Sequence, residues 1–312
     1  MLVRRTQMAE RVGFVGIGTM GTPMTLNLLK AGFSVTAYDI MPAGLETVVK
    51  AGARRADSLR EVAEASDVII TMLPSPVELE AAIYGPAGLL AHLQAGKNLI
   101  DMSTMDPVAT RKVAADAAKI GVGMIDAPVS GGTVGAVNGT LTIMVGGSAA
   151  SFARAEPVLR AMGRPHHLGP VGMGETVKLV NQIIIANVMI ANVEGLVFAQ
   201  RAGADLGTVR EVLASATASN YLLAEWLPKT WLAGSFQGGF ALDLLRKDLA
   251  AALDAARATN LPMPATGLAY QLYTTRSAEG DGALDYSAIA KAYEWNGDTA
   301  AASDGRQESG RQ

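Results

Sequence analysis

The segment RVGFVGIGTMGTPMTLNLLKAGFSVTAYDI, residues 11–40, constrains this chain more than any other. A short apolar run ends in Gly16, Gly18 and Gly21, a helix-like stretch follows, and a second short strand stops at Asp39. In this G-x-G-x-x-G spacing the first glycine permits a tight turn, and the second lets backbone approach a pyrophosphate. The third lets helix and strand pack closely. The helix N-terminus adds free N–H groups and a positive dipole end for the phosphates. Asp39 follows Gly21 by 18 residues, where a carboxylate accepts hydrogen bonds from the adenosine ribose and repels a 2′-phosphate. Its neighbours Ile40 and Met41 offer no arginine for that phosphate, so the expected cofactor is NAD rather than NADP. The competing reading is an aspartate capping a helix that begins near Pro42.

The pattern changes once along the chain. From residue 11 to about 147, VGFVGI, SVTAY, DVIITM, NLIDMS, GMIDAP and LTIMVG alternate with helix-like segments, which predicts a parallel sheet covered on both faces. After about 148 no strand pattern appears, and segments such as TVREVLASATASN and LDLLRKDLAAALDAARATN read as helices. The expected fold is an α/β Rossmann-type N-terminal domain, residues 11–174, and an all-α C-terminal domain, residues 175–298, joined by a long buried helix. That helix runs from Lys178 to Gly203, without proline and apolar nearly all round. Asn181, Gln182, Asn187, Asn192 and Glu194 interrupt it and no aromatic belt flanks it, so it reads as buried between domains or subunits, not in a membrane. Residues 1–10 and 299–312 are polar and expected to be disordered.

Composition excludes several functions. The net charge of −3 gives no basic footprint for nucleic acid. The absence of cysteine removes thiolate catalysis and zinc-thiolate sites, and the spacing of His92, His166 and His167 matches no metal-ligand pattern, so they read as solvated loop residues and no metal is expected. Charged residues at 18% fall below the roughly 25% of an average soluble protein, which points to surface covered in an oligomer. No targeting segment is recognised, and a cytoplasmic location is expected.

Three further segments carry chemistry. Ser130, Gly131 and Gly132 follow a strand and a proline, and such a turn exposes N–H groups and a hydroxyl that can grip a small carboxylate. Lys178 is followed by Asn181 and Gln182 at three and four residues, which places both amides on its face of a helix. A lysine entering an apolar setting is suited to giving and taking protons. Lys247 and Asp248 lie in an amphipathic helix, where a surface ion pair is the default.

Together these segments resemble the β-hydroxyacid dehydrogenases. The matching motifs are GFVGIGTMGTPMTLNLLKAG at 13–32, MLP at 72–74, DMST at 101–104, DAPVSGG at 126–132, GTLTIMVGG at 139–147, GxxxKxxNQ at 174–182 and KDLAAALDAA at 247–256, in family order. The resemblance implies that Gly16, Gly18, Met20, Gly21 and Asp39 bind the cofactor, with Leu73, Pro74 and Thr104 bordering the nicotinamide and its ribose and Lys247 reaching it from the helical domain. It implies that Ser130, Gly131 and Gly132 take the substrate carboxylate, that Lys178 is the general acid, and that Asn181 or Gln182 is the amide beside it, with Asn181 preferred. A homodimer or homotetramer through the helical domain is also implied. Within the family, GTLTIMVGG and KLVNQ resemble the tartronate semialdehyde reductases more than the 3-hydroxyisobutyrate dehydrogenases. An imine reductase and a non-catalytic dinucleotide-binding module are the competing readings, and the retained lysine argues against both. Tyr221, Trp226 and Trp231 either reshape a pocket or pack between helices.

Overall fold

The computed structural model describes residues 10–237 and 239–293. The expected disordered ends lie outside these residues, except Glu10, whose carboxylate pairs with Arg154 at 2.9 Å. The chain forms two compact units, one of Met1–Gln182 with Ala251–Leu261, the other of Ile183–Ala250 with Pro262–Gln312.

The first unit is built on a nine-stranded sheet. Its strands are β1 (Val12–Val15), β2 (Val35–Tyr38), β3 (Arg54–Arg55), β4 (Val68–Thr71), β5 (Asn98–Asp101), β6 (Gly123–Asp126), β7 (Val129–Ser130), β8 (Leu141–Gly147) and β9 (Gly163–Gly169). The order is β3-β2-β1-β4-β5-β6-β8-β7, with β9 on the free side of β8. Pairing is parallel from β3 to β6 and antiparallel where β8 meets β6 and β7. The helices of this part are α1 (Gly21–Lys30), α2 (Pro42–Lys50), α3 (Leu59–Ala65), α4 (Pro76–Tyr84), α5 (Pro107–Lys119), α6 (Gly132–Asn138) and α7 (Ala149–Arg160). They shield the apolar strands from water, so β1, β4 and β5 are buried at every position.

Register explains both core and site. Phe14, Ile70, Ile100 and Ile125 lie in one row across β1, β4, β5 and β6, and pack in one apolar cluster with Met24 and Leu28 of α1. Ile69, Leu99 and Met124, one residue earlier, point to the other face with Leu79 and Ile83 of α4, as the period of two requires. The next row is Val15, Thr71, Asp101 and Asp126, and there the sheet turns polar at its carboxyl ends. The strand order reverses beside β1, between β2 and β4, the place where open α/β sheets receive ligands.

Three strands escaped the hydropathy pattern. β3 and β7 span two residues each, and β9 has the sequence GRPHHLG, with no apolar alternation. β9 forms through backbone pairing with β8 at the edge of the sheet, where Pro165 is tolerated. His166 and His167 therefore sit on a strand rather than a loop. The His167 ring stacks on Phe152 at 4.8 Å, and its Nε2 lies 2.8 Å from the Gly147 carbonyl.

The continuation is helical: α8 (Met173–Arg201), α9 (Leu206–Ser215), α10 (Leu242–Ala258) and α11 (Pro264–Arg276). Leu242, Leu245 and Leu249 of α10 pack with Met189, Val193 and Leu196 of α8 and Tyr273 of α11. Trp226 and Trp231 pack against this core, and the Trp226 Nε1–H donates to Asp285 at 3.1 Å; Tyr221 is exposed. α8 begins five residues before Lys178 and is long and apolar enough to cross a membrane by length and composition, yet only 28% of its apolar window is buried within the chain. Val180, Ile184, Ala191 and Phe198 lie on one stripe of it and are exposed.

Candidate active site

The glycine loop leaves β1 at Gly16, which holds φ +97°, and a Cβ there would meet the Met72 carbonyl at 2.2 Å. A Cβ at Gly21 would meet the Gly16 carbonyl at 1.8 Å, so this glycine lets α1 close onto β1. Gly18 differs, because a Cβ there would meet nothing within 4 Å. No side chain caps α1 and its first turn holds no acid, which suits a phosphate at that helix end. Ile17 is fixed from both sides: its N–H donates to Asp39 Oδ2 at 2.6 Å and its carbonyl accepts from the Thr22 hydroxyl at 2.9 Å.

Asp39 stands half-buried at the end of β2, and its Oδ1 accepts from the Met41 N–H at 2.7 Å. The residue before α2 is Met41, which offers no side-chain cap, so Asp39 closes a local turn and pins the glycine loop instead of capping the helix. Open space at Gly18, the uncapped start of α1 and the carboxylate at the end of β2 fit a dinucleotide.

At the carboxyl end of β4 the Leu73 N–H donates to the Ser103 hydroxyl at 3.0 Å. Thr71 donates to Asp101 Oδ1 at 2.9 Å, and the Ser103 N–H reaches the same oxygen at 3.1 Å. Asp101 thus ties the turn of Leu73 and Pro74 to the turn that carries Thr104. Its Oδ2 has no hydrogen-bond partner, and burial holds the carboxyl above the usual carboxylate range. Because the native state keeps this proton to higher pH than the unfolded chain, stability falls as pH rises through the interval between the two values. Asp101→Asn keeps the accepting oxygen and removes that loss. Its melting temperature is expected to exceed that of the parent at pH 8, with the gap closing near the unfolded value of about 4; equal gaps at both pH values in thermal scans would refute this.

Ser130 ends β7, and Gly131 and Gly132 turn the chain into α6 at φ +129° and +59°, angles that favour glycine. Lys178 lies on α8 and is 7% exposed. Its Nζ donates to Gln182 Oε1 at 3.2 Å, and the same oxygen accepts from Asn181 Nδ2 at 2.9 Å. The amide against Lys178 is therefore Gln182, with Asn181 one step removed. Asp126, whose role strand-end position alone did not disclose, is fully buried and accepts two N–H groups where α8 begins. Lys247, in the helical unit, pairs with the buried Asp248 at 3.1 Å. Among the described residues no group of His, Cys, Asp and Glu is arranged to hold a metal.

A family model described as the NAD binding domain of 6-phosphogluconate dehydrogenase matches residues 11–180, and one described as the NAD-binding of NADP-dependent 3-hydroxyisobutyrate dehydrogenase matches residues 172–293. The chain is 41% identical to 2-(hydroxymethyl)glutarate dehydrogenase of Eubacterium barkeri over 91% of its length and 95% of that protein's. It is 39% identical to 2-hydroxy-3-oxopropionate reductase of Escherichia coli, over 91% and 97%. The structure of Mycobacterium tuberculosis 3-hydroxyisobutyrate dehydrogenase with L-serine superimposes with a TM-score of 0.85 at 32% identity, covering 92% of this chain and 100% of that one.

Proposed function

This chain belongs to the β-hydroxyacid dehydrogenase family, an NAD-binding oxidoreductase, and we propose that its substrate is tartronate semialdehyde (2-hydroxy-3-oxopropionate), reduced to glycerate. The observation that carries the reading is Lys178, an almost fully buried ammonium on α8 held by Gln182 Oε1. When bound, the nicotinamide supplies the hydride to the aldehyde carbon or takes it back from the alcohol. Lys178 protonates the carbonyl oxygen as the hydride arrives, and serves as base in the reverse direction. Gln182, with Asn181 behind it, orients the ammonium. Ser130, Gly131 and Gly132 bind the substrate carboxylate. Gly16, Gly18, Met20 and Gly21 receive the pyrophosphate, Asp39 the adenosine ribose, and Leu73, Pro74 and Thr104 border the nicotinamide side; Lys247 is assigned to the cofactor on family resemblance.

Sequence similarity to the E. coli reductase supports tartronate semialdehyde, and the other relatives name 3-hydroxyisobutyrate and 2-(hydroxymethyl)glutarate as the acids to test beside it. The test is NADH oxidation with tartronate semialdehyde and methylmalonate semialdehyde, and NAD reduction with 3-hydroxyisobutyrate and 2-(hydroxymethyl)glutarate. A kcat/KM for tartronate semialdehyde below that of any other member would overturn the substrate. The same assay with NADPH tests Asp39. Asp39→Asn removes the charge that repels a 2′-phosphate and one acceptor for the loop, so the NADH-to-NADPH ratio of kcat/KM is expected to fall by about tenfold or more, about 1.4 kcal/mol. An unchanged ratio would remove Asp39 from the selection.

The exposed stripe of Val180, Ile184 and Phe198 on α8 supports a homodimer or homotetramer formed through that helix. Phe198→Glu, read by light scattering, is expected to lower the assembled mass, and an unchanged mass would refute the stripe as the interface.

A further inference from the structure

α8 begins at Met173, and the residue before it is Gly172, at φ +90°, whose carbonyl accepts from the Thr176 N–H at 3.0 Å. A glycine in that place supplies no side-chain oxygen for the N–H groups of the first turn, which have no partners within the helix. The oxygens come from the end of β6. Asp126 Oδ1 accepts from the Gly172 N–H at 2.8 Å and Oδ2 from the Glu175 N–H at 2.9 Å. One carboxylate from a distant strand thereby performs both halves of a capping box, ordinarily shared by two residues of the helix itself.

Glycines make the room for it. A Cβ at Gly146, the register partner of Asp126 on β8, would lie 2.5 Å from Oδ1, and one at Gly174 would lie 2.8 Å from Oδ2. Asp126 also stands four residues before Ser130, at the start of the DAPVSGG segment, so it joins that segment to the helix that carries Lys178.

We propose that Asp126 is a positioning residue: it fixes the first turn of α8 to the end of β6 and so sets where the Lys178 ammonium stands relative to Ser130, Gly131 and Gly132. This rests on Lys178 being the proton donor. Lys178 follows Glu175 by three residues, less than one turn, so a shift of the first turn reaches it undiminished. A displacement of about 1 Å at a reacting group costs roughly a hundredfold in rate.

The test compares Asp126→Asn with Lys178→Met and the parent. Asparagine keeps the shape and one acceptor but turns an NH2 towards one of the two N–H groups. The expected result is a kcat at least about thirtyfold lower, an NADH Kd within about twofold of the parent by fluorescence, and a larger isotope effect with 4-deuterated NADH, because proton and hydride transfer then limit turnover. Amide exchange at residues 172–176 is expected to quicken. An Asp126→Asn kcat within about twofold of the parent, beside an inactive Lys178→Met, overturns the inference alone; a fully active Lys178→Met overturns the assignment of the lysine first. Loss of NADH binding in step with kcat would make Asp126 a support of the whole unit and likewise overturn the inference. Should the asparagine variant not fold, exchange in the parent decides: slow exchange at Gly172 and Glu175 supports the clamp, and exchange as fast as at open loops refutes it.

Discussion

Lys178→Met is expected to lower kcat about a thousandfold while leaving the NADH Kd within about twofold, the middle of the range that general acid–base assistance contributes. Methionine matches the length and apolar stem of lysine, and the site is 7% exposed, so the replacement fills the same space without a polar head. Gln182 Oε1 retains its bond from Asn181 Nδ2. The dinucleotide contacts proposed for the glycine loop lie on other elements and stay in place. Single-turnover hydride transfer with tartronate semialdehyde separates chemistry from product release. A variant that keeps more than about a tenth of the parent rate would show that the proton comes from elsewhere, water or another side chain.

The glycine loop gives the second large effect, and it divides by position. Gly21→Ala would place a Cβ 1.8 Å from the Gly16 carbonyl and 3.2 Å from the Phe14 ring, against backbone that is itself held by the Gly16 N–H bond to the Tyr38 carbonyl at 3.0 Å. Such overpacking costs about 3 kcal/mol, which corresponds to a fall in melting temperature of roughly 6–12 °C for a unit of this size. Gly18→Ala meets nothing within 4 Å in the protein, so its melting temperature is expected within about 2 °C of the parent. Its added methyl occupies the approach to the pyrophosphate, and NADH binding is expected to weaken more than about tenfold. Calorimetry of both variants, with NADH titrations, checks the division. If Gly18→Ala bound NADH as the parent does, the open space at Gly18 would not be where the phosphates lie.

What the sequence discloses and what it hides follow one physical line. The glycine loop, the following helix and Asp39 are legible because each depends on neighbours within a few tens of residues and on backbone angles that few residues adopt. The expected roles of Asp39 omitted its bonds to Ile17 and Met41, which need the loop and β2 to be side by side. Asp101 and Asp126 show the limit better. In the sequence both stand only inside motifs, DMST and DAPVSGG, yet their contacts come from lying in register with Thr71 and Gly146 and from backbone donors as far away as Gly172. Nothing local marks that. β9 was illegible for a similar reason, since its pairing depends on an available edge of β8 rather than on its own residues. Between Asn181 and Gln182, helical spacing alone was indifferent, and the side-chain contact favoured Gln182.

The division between the two units falls inside α8, directly after Gln182. The ammonium and its amide are thus inherited with the dinucleotide half of the chain, in the same frame as Asp39, although the helix that bears them runs on into the other half. On the roles proposed above, the proton donor, the turn for the substrate carboxylate and the glycine loop belong to one compact unit, and of the proposed site residues only Lys247 belongs to the other. Their mutual placement is thereby a property of one core, set when that unit folds.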